Sequence, residues 1–224
     1  MKKLLLVVAF AAVGTIAFAQ KPTSGNKTVE IGLSSVIGTP VSANNPAGVP
    51  VGVLKGRYFM SDNMAIRGSF GVGMGSTTTT AANTEETVVK TTGFAIGAGI
   101  EKHLAGTSKL SPYIGAELGF GIASGSTEIT NFGGTAGDKQ TTTGGGTSNL
   151  RLNAMLGADY WIVEKVYIGA ELGMTLFGSS TVADTEIETT AGGATAKVTV
   201  KGNSGSNFGI APAALGMVRI GLMF

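Results

Sequence analysis

The chain has 224 residues, a formal net charge of +2, no cysteine, one histidine, a mean hydropathy of +0.29 and only 13% charged residues. Without cysteine there is no disulfide scaffold, no Cys-ligated zinc and no thiol chemistry, and a near-neutral chain offers nucleic acid no basic surface. The composition is apolar, yet beyond the N-terminal segment no stretch approaches the ~18 continuous apolar residues of a spanning helix.

At the N-terminus Lys2 and Lys3 precede an apolar run from Leu4 to Val13 and a small-residue stretch ending in Ala17-Phe18-Ala19. A basic start, a short apolar core and an A-x-A end predict a signal peptide over 1–19, with Ala17 and Ala19 as the cleavage determinants. A retained anchor or a buried helix would use the same run, but it is short for a span. Cleavage removes both lysines, so the predicted single domain, 20–224, carries no net charge.

From Val29 onward apolar residues recur at period two, the mark of half-buried strands. Val29, Ile31 and Leu33 alternate with Glu30, Gly32 and Ser34. Leu54, Tyr58 and Met60 share a face opposite Lys55 and Arg57, and Ser61-Asp62-Asn63 supplies a tight turn. Met64 to Met74, Phe94 to Ile100, Ile114 to Ile122, Leu150 to Tyr160, Val166 to Leu176 and Val218 to Phe224 repeat the alternation. The count is about eight strands of roughly the 9 to 11 residues that a tilted strand needs to cross a bilayer.

Connections alternate in length. The predicted short ones are at 61–63, 106–112 and 164–165, and the long ones are near 38–50, 76–87, 124–147 and 178–206. Short periplasmic turns and long outside loops are the pattern of outer-membrane barrels. The long connections are rich in Thr, Gly, Ser and Asn, as in Thr77–Thr80 and Thr141–Gly146, and are expected to be mobile and solvent-exposed. Tyr113-Ile114-Gly115-Ala116-Glu117-Leu118-Gly119 recurs as Tyr167-Ile168-Gly169-Ala170-Glu171-Leu172-Gly173, which predicts two strands in equivalent environments.

Polarity decides which face meets lipid. An Arg or Lys on a barrel's lipid face costs ~2–4 kcal/mol at the midplane, so the charged faces must point inward; a soluble lipocalin-like barrel would have the opposite polarity. The expected fold is therefore all-β, a transmembrane antiparallel up-and-down barrel in an outer membrane, with membrane lipid as its surroundings. Tyr58, Phe59, Tyr160, Trp161, Tyr167 and Phe224 fall near the short-turn ends and are expected to form an interfacial girdle.

Little in the chain suggests chemistry. His103, beside Lys102 at a strand end, reads as an interfacial or turn residue without partners for a metal site or a Ser-His triad. The glycine runs 71–75 and 115–121 lie within strands rather than before helices, so no nucleotide site and no cofactor are implied. The inward ionisable set is Glu30, Lys55, Arg57, Arg67, Glu101, Glu117, Arg151, Asp159, Glu171 and Arg219. Acid and base can pair into a plug, since an eight-stranded interior is just filled by side chains. A narrow pore gated at Glu117 or Glu171 is the functional alternative, and a glycosidase-like carboxylate dyad ranks behind both because no cleft is evident.

The leader, the alternating strands, the Tyr58-Phe59-Met60-Ser61-Asp62-Asn63 turn and the terminal Val218-Arg219-Ile220-Gly221-Leu222-Met223-Phe224 resemble small porin-like outer-membrane β-barrel proteins of the OmpA and OmpW type. Gln20 after the cleavage site resembles exported Bacteroidetes proteins. The resemblance implies that Ile220, Leu222 and Phe224 form a terminal signal for the barrel-assembly machinery. Nothing follows Phe224, so a peptidoglycan-binding domain and a wall-anchoring role are not expected. The expected function is a structural or narrow porin-like barrel without enzymatic activity. Its rival is a surface module that binds an extracellular ligand through the Thr- and Gly-rich loops.

Overall fold

The computed structural model describes residues 21–37 and 51–224, with 33–37, 51–52 and 207–216 described by backbone alone. The predicted signal peptide, with Ala17 and Ala19, and the long connection at 38–50 lie outside the described residues. The elements are β1 Lys27–Ile37, β2 Val51–Ser61, β3 Met64–Thr80, β4 Glu86–His103, β5 Leu110–Thr130, β6 Lys139–Val163, β7 Val166–Val182, β8 Thr185–Ala191, β9 Ala194–Val200 and β10 Ser204–Met223, with one 3-10 turn at Phe132–Gly134.

Each of β1 to β6 pairs antiparallel with its successor, and β10 returns between β7 and β1 to close an eight-stranded ring. Closure runs from Thr28 opposite Met223 to Ile37 opposite Ala214. Beyond the last paired strand residues, Lys27 and Phe224 exchange two backbone hydrogen bonds of 3.0 Å. A closed ring leaves no strand edge in hydrocarbon, where an unpaired amide has no water to turn to.

The outward positions form the predicted apolar belt. Ile31, Leu54, Ile66, Phe70, Ile96, Ile114, Leu118, Leu156, Leu172, Val218 and Ile220 are all exposed. A belt of this size fits a lipid solvent and not water. None of the described residues forms a helix long and apolar enough to cross a membrane.

Two expectations require correction. Most of the Thr-rich connections are strands: Thr77–Thr80 continue β3, paired as far as Thr80 opposite Glu86, and Thr141–Gly146 belong to β6. Threonine is β-branched and suits a ladder, so the hairpins extend on backbone hydrogen bonds without an apolar core. Where β6 leaves β7 for β8, Gly144 and Gly145 take φ of +86° and +63°. A Cβ on Gly144 would collide with the carbonyl of Asp184. Beyond this pivot β3, β4, β5, β6, β8 and β9 continue as an open sheet. Lys90, Glu128, Lys139, Glu188 and Lys197 share one of its faces, whereas Val89, Ile129, Ile187 and Val198 share the other with threonines.

The second correction concerns the girdle. Phe59, Trp161 and Tyr167 are fully buried inside the barrel, whereas Tyr58 and Phe224 are exposed on the outside. Adjacent strand residues must point in opposite directions. Residues 58 and 59, or 160 and 161, therefore cannot belong to one belt, although they lie at one depth.

Candidate functional site

The inward residues of the ring stack in three tiers. At the short-turn end Trp161 and Tyr167 pack at a 45° tilt with ring centroids 4.5 Å apart, in one cluster with Met223. Beside them His103 lies between Phe59 and Tyr113, at 5.1 and 5.2 Å. Tyr113 lies across Gly157 and Tyr167 across Gly221, each on the next strand in register, where a Cβ would occupy the tyrosine ring's space. This gives the repeated heptapeptide its physical meaning: β5 and β7 present the same tyrosine to the same kind of glycine.

Above this floor lies a continuous ion-pair network. Glu30 binds Arg57, and its other oxygen meets Arg219 Nε at 2.6 Å. Arg57 Nη1 reaches Glu101 at 3.0 Å and Asp159 at 2.7 Å, and Nη2 donates to the Tyr167 hydroxyl at 2.7 Å. Arg67 bridges Glu101, Glu117 and Glu171 at 2.6, 2.8 and 2.8 Å. Arg219 joins Asp159 at 2.5 Å and Glu171 at 3.0 Å. Glu171 also accepts from Lys55 at 2.9 Å and from the Tyr113 hydroxyl at 2.6 Å. Arg57 sits 5.2 Å from the Tyr167 ring centre and Arg219 sits 5.2 Å from that of Tyr113, so aromatic faces take up cationic surface left by the carboxylates.

The elements explain why these residues meet. Lys55 and Arg57 lie two apart on β2, Asp159 lies on β6, Glu171 on β7 and Arg219 on β10, all at inward parity. Inward glycines admit them: a Cβ on Gly169 would strike the Arg219 guanidinium and Asp159. Burying single charges this way would cost several kcal/mol each, and the multiple pairing is what makes it tolerable.

Of the predicted network, Glu30, Arg57, Arg67, Glu101, Glu117, Glu171 and Arg219 come together with Lys55 and Asp159. Arg151 does not join them. It is exposed to the third tier, a cavity of about 360 Å³ above the network, lined also by Lys55, Arg67, Glu117, Asn149 and Asn153. Its cross-strand neighbours are Gly119 and Gly178, a row above the level of Glu117 and Asn153.

His103 departs from the expectation of a turn residue without partners. Its Nδ1 is 2.8 Å from Ser111 Oγ and its Nε2 is 3.5 Å from Glu101 Oε2. Period-two alternation brings Ser111 and Glu101 to its side from β5 and β4, a signal that the register carries and that pairwise spacing in the sequence hides. The arrangement has the composition of a hydrolytic triad without its access. Ser111 is 2% exposed, and Glu101 is held by two arginines. No group of acidic residues, histidine or cysteine fit to hold a metal occurs among the described residues.

Terminal Ile220, Leu222 and Phe224 all face outward, at 54%, 57% and 64% exposure.

Comparison with known proteins places this architecture. No curated protein matches the chain. Among solved structures, the N-terminal β-barrel domain of Pseudomonas aeruginosa OprF aligns over 91% of this chain and 100% of its own, at 14% identity and a TM-score of 0.45. Ail, the attachment invasion locus protein of Yersinia pestis, aligns over 90% of this chain and 100% of its own, at 15% identity and a TM-score of 0.43. The Pseudomonas aeruginosa outer membrane protein OprG aligns over 93% and 99%, at 11% identity and a TM-score of 0.44. The family model described as "Putative OmpA-OmpF-like porin family" matches residues 40–178, more than half of the chain. With a closed ring, an apolar outer belt and a charged lumen, the chain is an outer-membrane β-barrel and belongs to this OmpA-OmpF-like porin family.

Proposed function

We propose that the barrel serves as a structural element of the outer membrane with a sealed lumen, conducting only through a narrow path that opens when arginine–carboxylate pairs separate. One observation carries the reading: the network from Glu30 to Glu171 leaves its charged side chains 0–13% exposed and links them across the lumen. The test is single-channel conductance of the refolded mature chain in a planar bilayer, after a heat-dependent gel shift has verified folding. The native barrel is expected to be silent or to open rarely and briefly, and Glu117→Ala to raise the opening frequency. A large, steady native conductance would overturn the sealed reading.

The proposal includes no catalysis. Ser111 and His103 serve here to pack the floor beneath the charges. A fluorophosphonate probe is expected to leave the folded barrel unlabelled; labelling abolished by Ser111→Ala would show a working nucleophile instead. Ile220, Leu222 and Phe224 are proposed as the terminal determinant read by the barrel-assembly machinery. Their outward alternation on the strand that closes the ring supports this.

Binding of an extracellular ligand is the second reading, and it now rests on the open sheet beyond the ring rather than on mobile loops. Removing 185–200 deletes β8 and β9 and no ring strand, so it isolates this surface better than a cut between Ser126 and Thr147, which severs β5 from β6. Cell or glycan binding unchanged by that deletion would count against the sheet as a receptor surface.

A further inference from the structure

The third tier of the lumen has an unbalanced charge. Its lining contributes three cations, Lys55, Arg67 and Arg151, against two carboxylates, Glu117 and Glu171. Both carboxylates are already engaged: Glu117 by Arg67 Nε at 2.8 Å and the Ser69 hydroxyl at 3.2 Å, Glu171 by Lys55, Arg67 and Arg219. Lys55 and Arg67 are engaged by the same contacts. Arg151 is left over. All 14 acidic residues of the chain are among the described residues, and none lies within ion-pair distance of Arg151. Asn149 and Asn153 flank it on the same inward face of β6, and at the level of Arg151 and Asn149 the adjoining wall on β3 to β5 presents Gly71, Ala95, Gly119 and Gly121.

We propose that this cavity binds a small oxyanion, of the carboxylate or phosphate class, on the Arg151 guanidinium, with the Asn149 and Asn153 amides as auxiliary donors. The planar fork of arginine matches two oxygens of such a group. A partly enclosed site strengthens the pairing relative to water. The side-chain-poor wall leaves room for the body of the ligand. At about 30 Å³ per water-sized volume, the space suits a molecule of roughly ten heavy atoms. The inference goes beyond the sealed-barrel reading and needs only the third tier to be open from the long-hairpin end, so a silent barrel can still bind.

The test is titration of the refolded barrel in lipid nanodiscs with benzoate and, separately, with inorganic phosphate at low salt, followed by amide chemical shifts of Gly119, Gly121, Asn149 and Asn153. Saturable shifts are expected with at least one probe. Arg151→Gln is expected to weaken binding by roughly ten- to a hundredfold, the loss of a charge-assisted hydrogen bond, and Arg151→Lys to weaken it less. Lys139→Gln, a cation on the open sheet, is expected to leave it unchanged. Absence of saturation with both probes, as when Arg151 closes onto Glu117, would overturn the proposal. Equal affinity in Arg151→Gln, or equal losses in the Arg151→Gln and Lys139→Gln variants, would overturn it too. Because Arg151 is exposed and outside the ion-pair network, its variants are expected to retain the heat-dependent gel shift.

Discussion

Arg57 illustrates how single residues hold the lumen together. Its guanidinium contacts Glu30, Glu101, Asp159 and the Tyr167 hydroxyl. Replacing it with alanine leaves three buried carboxylates short of a cation, and breaking a buried pair from one side costs ~3–5 kcal/mol. Urea unfolding in lipid vesicles should show a loss of that order for Arg57→Ala and a smaller one for Arg57→Lys, which keeps the charge and loses the fork. Gly221 is a second such point because Tyr167 lies against it. Gly221→Ala should cost ~1–3 kcal/mol by overpacking. Outward Gly68 meets no side chain, so Gly68→Ala should fall well below that in the same assay. The inward charges were legible as a set from period-two parity, but their partners were not. Arg151 shares the parity of the network and lies a row too far from it.

At the scale of elements, the hairpin of β8 and β9 is tied to the rim by a small clamp. Lys201 Nζ donates to Asp184 Oδ2 at 2.5 Å and the Gly202 amide donates to Oδ1 at 2.9 Å. The lysine first, and then the amide, hold the Asp184 carboxyl below the usual carboxylate range. A depressed acid contributes stability above its unfolded-state pKa and loses that contribution as pH falls through the folded value. Acidification below the ordinary carboxylate range should therefore lower the protection of amides around 184–202, after correction for the pH dependence of intrinsic exchange, while protection in β5 and β7 stays unchanged, as hydrogen-exchange mass spectrometry can follow. Asp184→Asn should remove the clamp's share of that pH dependence and leave the share of the Glu188–Lys197 pair. The Thr-rich segments lack apolar residues for a core of their own, and by composition alone they read as mobile connections. Backbone pairing to a neighbour already in register was sufficient.

The whole molecule separates into a closed ring that the membrane solvates and an open sheet that water solvates. Deleting 185–200 should therefore leave the ring's heat-dependent gel shift and its unfolding midpoint in lipid nearly unchanged, because β8 and β9 contribute no ring pairing. Phe224→Ala should slow assembly in cells more than it lowers the stability of the refolded barrel, since the side chain is 64% exposed and packs little. Equal losses in both assays would make Phe224 an ordinary packing residue.

Alternation along Met64 to Met74 and Val166 to Leu176 was enough to establish strands, their lipid face and a charged interior, because a period of two is a local property and a charge cannot face hydrocarbon. The repeated Tyr-Ile-Gly-Ala-Glu-Leu-Gly likewise announced two equivalent strands. Register and depth depended on the closed ring. Only the pairing of β7 with β10 sets Tyr167 over Gly221, only the approach of β4 to β5 joins His103 to Ser111, and only the turn at Gly144 and Gly145 sends β6 to a new partner. His103 and Ser111 are eight residues apart across a short hairpin, but the other two contacts join residues far apart in the chain, selected by which strands lie side by side, and no local pattern encodes that adjacency.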